Sequence, residues 1–499
     1  MQITALGHSC VLVDFQQDLQ HTRILVDPWL SDHSTGDAMG RFPRLRLEID
    51  ALGPVHAVYL THAHCDHLDP YTLVRLWREL AFPPVLLLPV SLSFLLPVLH
   101  AHLPSLDVRL LAPHTPMMFR GLELLGFYDI GLETTNEDDV MILVATNGAE
   151  RVLVEADARL SLELLDFRAF ISALMCQPGI DSAVYLTTEN ELSGTMASRL
   201  CPTAEAREAV RSIAIDELLE EASMLYEPVS DPDDIWQDER VLRLIHGQGL
   251  TAPQELDDRW QHILFPVRIA DRVEEERAVA ARSGCRHHID SLTPGCVHTI
   301  TSGRITQRMP ASGLVLLDQE ADRRFASELT FSPSLPCAPL RSDARDQRQQ
   351  RAQILALLND RFLPFLHGQQ QPPVLHLLAA YGGSYRVRVR FGCAREHEVR
   401  DFVVGFSEPR FIEVQPSESP PQESYWANDL EDFLGGRCDE FSTFCRQQLP
   451  ADEMRLWVCL ATPLLNSDLV SKRVALHFER ARQGLSPGSW VMEMWGAAE

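Results

Sequence analysis

The order of apolar and polar positions divides this chain into a long mixed part and a shorter final part. Pro54-Val55-His56-Ala57-Val58-Tyr59-Leu60 is apolar and β-branched enough for a buried strand. Asp69-Pro70 then supplies an N-cap and a pre-set first position for a helix over Tyr71 to Leu80. Asp139 to Ala145 and Arg151 to Asp157 read as two strands of a hairpin turned at Asn147-Gly148. Strands and helices mix in this way up to about Thr187, the pattern of two β-sheets held between helical layers. Thr203 caps a helix from Ala204 to Tyr226, with Val210, Ile213, Ile215, Leu218 and Leu219 at helical spacing and glutamates over most of the remaining surface.

A break falls at Ser332 to Arg351, where Pro333, Pro336 and Pro339 precede a stretch rich in Arg, Asp and Gln, separating residues 1–335 from residues 350–499. Beyond it, Ala352 to Leu363 has a helical pattern. Ser384 to Phe391 alternates strictly, with Tyr385, Val387, Val389 and Phe391 on one face and Arg386, Arg388 and Arg390 on the other. That arginine row reads first as the solvated face of an antiparallel sheet and second as a cradle for an anionic substrate or carrier. The tail from Ser424 onward predicts helices around Trp426, Phe433, Phe441, Phe444, Trp457 and Phe478, a small α+β module similar to sterol-carrier-like domains.

The chemistry concentrates in Thr61-His62-Ala63-His64-Cys65-Asp66-His67-Leu68-Asp69-Pro70. The array H-x-H-x-D-H occupies the turn between the predicted strand and helix. His62 and His64, two apart, can point the same way and grip one cation, and Asp66 and His67 on the tightening bend can face a second.

With this motif the chain resembles the metallo-β-lactamase superfamily, over roughly its first 190 residues. Gly7-His8-Ser9-Cys10-Val11-Leu12-Val13 and Ile24-Leu25-Val26-Asp27-Pro28-Trp29 look like the first strands of that fold. The resemblance implies an αββα sandwich, here followed by a smaller C-terminal α+β domain. It also implies that Asp27 orients a ligand histidine through the histidine's free ring nitrogen, and that Asp157 bridges two metals, with Glu155 as a stand-in. Asp66 and Asp157 become the expected catalytic carboxylates. Where the superfamily has a histidine before the bridging aspartate, this chain reads Glu133-Thr134-Thr135-Asn136-Glu137-Asp138-Asp139, and Glu137 is the best-placed substitute. The expected metal ligands are therefore His62, His64, Asp66, His67, Glu137 and Asp157. The family's last histidine has no motif; His246, His287 and His288 are the candidates.

Exchanging imidazole for carboxylate hardens the site and moves preference from zinc toward iron or manganese. Two branches of the superfamily fit that shift, the CMP-N-acetylneuraminate hydroxylase-like group and the diiron β-hydroxylases of chloramphenicol biosynthesis. They imply an iron-dependent oxygenase with a dinuclear centre, acting on a small substrate that is free, carrier-bound or nucleotide-linked. The alternative is a zinc- or manganese-dependent hydrolase of a phosphoester, lactone or amide. Cys285-Arg286-His287-His288 and Cys296-Val297-His298 match neither the spacing nor the order of a Rieske iron–sulfur site, so a hydroxylase would draw electrons from a separate electron-transfer protein.

Composition sets the remaining bounds. A net charge of −26 argues against nucleic acid or an anionic membrane as partner. Lys472 is the only lysine, an arginine skew expected of a GC-rich bacterial genome. Prolines interrupt the nearest approach to a membrane-length apolar run, Phe82 to Leu99, and the start of the chain has no secretory pattern. Eleven scattered cysteines without C-x-x-C suit a reducing compartment. The expectation is a cytoplasmic protein, for which an oligomer is possible.

Overall fold

The computed structural model describes residues 1–17, 20–34, 40–128, 140–158, 171–188, 204–226, 235–247, 250–251, 269–318, 339, 341, 343–368, 378–379, 382–393, 395–438 and 455–487. In chain order the first part contains β1 (Gln2–Gly7), β2 (Cys10–Gln17), β3 (Gln20–Val26), β4 (Gly40–Arg41), β5 (Leu45–Leu47), β6 (Ala57–Tyr59), α1 (Pro70–Glu79), β7 (Val85–Pro89), α2 (Leu96–His102), β8 (Val108–Leu111), β9 (Met117–Phe119), β10 (Leu122–Tyr128), β11 (Met141–Thr146) and β12 (Glu150–Ala156). It continues with β13 (Ser182–Thr188), α3 (Ala204–Leu225), β14 (Val241–His246), β15 (Leu250–Thr251), α4 (Ile269–Arg282), β16 (His288–Ser291), β17 (Cys296–Thr301), β18 (Arg304–Pro310) and β19 (Leu314–Leu316).

Two sheets carry this part, one ordered β18-β17-β1-β2-β3-β6-β7-β8 and the other β16-β14-β13-β12-β11-β10-β9. Period-two alternation decides their faces. Val152 and Val154 of β12 join Ile3, Val11, Val13, Ile24 and Val26 in the core between the sheets, while Leu153 faces the layer of α3 and α4. On the outer side of the first sheet, Leu12, Leu25 and Val58 lie beneath Leu73 and Leu76 of α1 and Leu99 of α2. Helices, sheet, sheet and helices follow one another, which is the αββα sandwich expected from the sequence.

The predicted turns form as their chemistry requires. Asn147 accepts from the Ala149 and Glu150 amides, and Gly148 takes φ 95° in the hairpin between β11 and β12. Asp69 caps α1, accepting from the Tyr71 and Thr72 amides, with Pro70 in the first turn.

The second part contains α5 (Gln347–Leu357), a π-helical turn Leu358–Phe362, α6 (Leu363–Gly368), β20 (Ser384–Gly392), β21 (His397–Gly405), β22 (Ile412–Val414), β23 (Glu423–Trp426), α7 (Ala427–Leu434), α8 (Arg455–Ala461) and α9 (Ser467–Arg482). Its sheet is ordered β22-β21-β20-β23, and the apolar face of β20 packs on Ile354, Leu358, Phe362, Leu430 and Leu456. The arginine row is not a bare solvated face. Arg386 and Arg388 both pair with the buried Asp401 carboxylate, at 2.9 and 2.8 Å, and Arg390 donates to the Ser424 hydroxyl at 2.7 Å. Two of the three guanidiniums thus share one carboxylate across the strand pair.

Phe433 and Trp457 belong to the core of this second part. Trp426 is buried outside that cluster, against His397 and the Arg390 guanidinium, and Phe478 packs with α1 and α2 of the sandwich. Phe441 and Phe444, and most of the expected boundary, lie outside the described residues. Trp29 and Cys65, both from the sandwich, are members of the second part's core. Among the described residues no cysteine is in a disulfide, and no helix is long and apolar enough to cross a membrane.

Candidate metal centre

The site forms where the ends of β3 and β6 meet the ends of β11 and β12. The Tyr59 hydroxyl donates to the Met141 carbonyl, and the Met141 amide donates to the Thr61 carbonyl at 3.1 Å, tying the two sheets together at this edge. Asp27, fully buried just past β3, accepts from the Thr61 amide at 2.8 Å and the Thr61 hydroxyl at 2.7 Å. Its Oδ2 also lies 2.8 Å from His67 Nδ1. That contact fixes the His67 ring so that Nε2 faces the site, the role the sequence suggested for Asp27.

Two compact groups of ligand atoms result, each with its atoms within 4.8 Å of one another: His62, His64 and Asp157, and beside them His8, Asp66 and His67. In the first, His62 Nε2 lies 2.9 Å from His64 Nδ1 and 3.7 Å from Asp157 Oδ2. In the second, His8 Nε2 lies 3.0 Å from Asp66 Oδ2. Asp157 Oδ2 is also 2.9 Å from His67 Nε2, so one carboxylate oxygen stands between the two groups. The strand geometry places it there. The β12–β13 register shifts between Val154 and Ala156, and Ala156 takes φ 54°, turning the chain before Asp157.

Sequence reasoning missed His8. It sits in the Gly7-His8-Ser9 turn between β1 and β2, with φ 98° at Gly7 and 49° at His8, and its ring meets Trp29 edge-on at 5.1 Å. The available signal was a histidine in a glycine turn directly after the first strand. Its partner Asp66 lies 58 residues away, beyond any local motif.

Glu137 lies outside the described residues. Glu155 is buried on β12 and belongs to neither ligand group. His246 ends β14 beside the site, with Nδ1 3.2 Å from the His8 carbonyl and Nε2 3.2 Å from the Thr188 hydroxyl, and burial pushes its imidazole down to about 4. His287 packs between Tyr226 and Trp236, with ring centroids 5.3 and 4.6 Å away, and Nδ1 lies 3.3 Å from the Trp236 carbonyl. His288 lines a separate cavity of about 380 Å³ with Arg277, Cys285 and Arg304. The Thr293 amide donates to His298 Nε2 at 3.1 Å, and His298 Nδ1 faces the Ile3 carbonyl at 3.3 Å. Among the described residues these cysteines and histidines form no ligand group.

Electrostatics set the charge of each group. Burial together with His67, His64 and His8 holds the His62 imidazole well below its usual range, hence neutral. Burial opposes the charge on Asp66, but His67 and the contact with His8 outweigh it and hold that carboxyl well below the usual range. Burial likewise opposes ionisation of Asp157, and His67 prevails, lowering it. Burial disfavours a charged His67, yet Asp157, Asp66 and Asp27 outweigh it and raise that imidazole well above normal. His8 Nδ1, His64 Nε2 and Asp66 Oδ1 are buried without hydrogen-bond partners. Each such atom costs about 1–3 kcal/mol unless something satisfies it, and a cation amid these donors would do so. The residues fit a pair of metal ions.

Fold and site together give an αββα sandwich that carries a candidate dinuclear metal centre. No family model matches the chain. It is 33% identical over 136 residues, 27% of its own length, to a protein of Mycolicibacterium smegmatis described as a Rieske 2Fe-2S iron-sulfur protein. It is 38% identical over 85 residues, 17% of its length, to a metal-dependent hydrolase of Paracoccus denitrificans. The chain spans 20% and 31% of the lengths of those two relatives. Among solved structures it is similar to CmlA, a diiron β-hydroxylase of Streptomyces venezuelae, at 15% identity and TM-score 0.32, over 60% of this chain and 54% of that one. It is similar to the metallo-β-lactamase fold protein YhfI of Bacillus subtilis at 11% identity and TM-score 0.31, over 60% of this chain and 99% of that one.

Proposed function

We propose that this protein is an iron-dependent oxygenase of hydroxylase type, acting on a small molecule at a dinuclear centre. The observation that carries the reading is the donor set, two adjacent groups each made of two imidazoles and one carboxylate. Two imidazoles and one carboxylate leave coordination positions open and form the donor set of mononuclear non-haem iron oxygenases, here present twice side by side. His62, His64 and Asp157 would hold one iron and His8, Asp66 and His67 the other, with Asp157 between them and Glu137 the proposed further carboxylate. Bound iron would supply the activation of dioxygen. The chain's own part is to keep His62 neutral and Asp66 and Asp157 ionised, and to orient the His67 ring through Asp27; the Nε2 proton of that ring would be displaced by a bound metal. Electrons would come from a separate protein.

A second reading, a zinc- or manganese-dependent hydrolase, is favoured by the 38% identity to a metal-dependent hydrolase. Two imidazoles and a carboxylate also serve catalytic zinc, which lowers the pKa of bound water.

The deciding experiment is elemental analysis of protein purified without chelator, with visible spectra before and after anaerobic reduction. About two irons per chain and a band that bleaches on reduction are expected. Zinc or manganese without that band would replace the oxygenase by the hydrolase, and absence of tightly bound metal would overturn both.

A further inference from the structure

α9 is an amphipathic helix whose buried residues are Leu469, Val470, Arg473, Val474, His477, Phe478, Arg480 and Ala481. Spacing of one, three and four keeps them on one side of the helix. Five of them are apolar, as such a side requires, and Arg473, His477 and Arg480 are not. Arg473 and His477 reach the segment that carries the candidate metal ligands and the helix that follows it. Arg473 Nη2 donates to the carbonyl of Ala63, the residue between His62 and His64, at 3.3 Å. His477 Nδ1 lies 2.9 Å from the Tyr71 hydroxyl in the first turn of α1. A guanidinium is among the costliest groups to bury, so its presence on this side calls for more than packing.

The second part of the chain holds α9 in place. Gly436, at φ 72° just beyond α7, lies so close that a Cβ there would be 2.6 Å from the Arg473 backbone nitrogen. The same part packs on Cys65, between ligands His64 and Asp66, and on Trp29, whose ring abuts His8.

We propose that Arg473 is a positioning residue of the metal centre, gripping the peptide between His62 and His64 from outside, so that α9 forms part of the site's support. The inference rests on the metal-centre reading and is indifferent to which reaction follows. Binding and support must then be coupled in both directions.

The test is Zn²⁺ titration of the metal-free full-length chain, with the metal-induced shift of the thermal midpoint as second readout. Arg473→Met should weaken zinc at least about tenfold and shrink that shift, as loss of an outer support does, and Arg473→Lys should restore part of both. Unchanged affinity in a folded Arg473→Met overturns the proposal, even if its metal-free midpoint falls, because that pattern is packing alone. Should Arg473→Met fail to fold, hydrogen exchange on the unsubstituted chain decides. Zinc should protect amides of residues 470–478 as well as 61–68, and protection confined to 61–68 overturns the proposal. Failure of the unsubstituted chain to bind zinc, iron or manganese would instead strike at the metal centre itself.

Discussion

Two stretches of this chain are dense in metal-ligand residue types, His62 to His67 and Cys285 to His298, and they meet opposite fates. In the first, ring nitrogens and carboxylates from three separate turns converge, and several buried donor atoms are left without hydrogen-bond partners. In the second, the rings do not converge. His287 stacks in an aromatic nest and faces the Trp236 carbonyl, and His298 takes the Thr293 amide and faces the Ile3 carbonyl. His287 Nε2 and His288 Nε2 are also buried without hydrogen-bond partners, yet among the described residues no ligand group forms around them. A ligand site is therefore marked by convergence of donors, and an unsatisfied ring nitrogen by itself does not mark one. Residue count alone does not either.

The largest effect that could break this contrast is at Asp157. Asp157→Ala should drop bound metal from about two per chain to below one, measured by elemental analysis, because a single oxygen serves both groups. Retention of both metals would remove Asp157 from its place between them. His8→Gln comes next: it should cost about one metal and leave the His62 and His64 group loaded, and a variant still binding two would exclude His8 as a ligand.

Asp27→Asn sharpens the contrast further. It keeps the size of the side chain and tolerates φ 41°, but it presents His67 and Thr61 with a neutral amide. Metal affinity should fall about 10–100-fold, as when an outer partner of a ligand histidine is lost, and an unchanged titration would deny Asp27 that role.

The smallest effect is expected in the second stretch. His287→Gln should leave metal content untouched and cost about 1–3 kcal/mol of stability. Burial, joined by Arg243, pushes the His287 imidazole down to about 3. Below about pH 6.5 the unfolded chain therefore takes up a proton that the folded chain refuses, so stability falls as pH drops toward 3. The group contributes a slope of about 1.4 kcal/mol per pH unit across that window, and the variant should flatten denaturation curves by that amount. Loss of metal in His287→Gln would erase the distinction between the two stretches.

How much of this was legible beforehand depends on the span of each interaction. H-x-H-x-D-H could be read because strand, turn and helix cap lie within a few residues, so spacing alone aims the donors. Asp157 could be approached through its hairpin, whose Asn147-Gly148 turn is a local signal. The ligand grouping could not be read in full. Asp157 was expected between the two groups, Glu137 lies outside the described residues, and among the described residues it is His8, not foreseen as a ligand, that completes the group of Asp66 and His67. Phe478 reads as core of the final module, yet it lies under α1 and α2, because a helix stripe states how much must be buried and not against what.

The sequence by itself determined the mixed run of strands and helices, the histidine-rich turn with its helix cap and the buried faces of the strands, since periodicity, capping and local spacing are properties of adjacent residues. Only the tertiary structure decided that His8 enters the site, that the arginine row closes on Asp401, and that Arg473 reaches the Ala63 carbonyl from 410 residues away. These contacts arise where separate strand ends and helix faces are brought together, and nothing in the local pattern specifies which distant surface arrives.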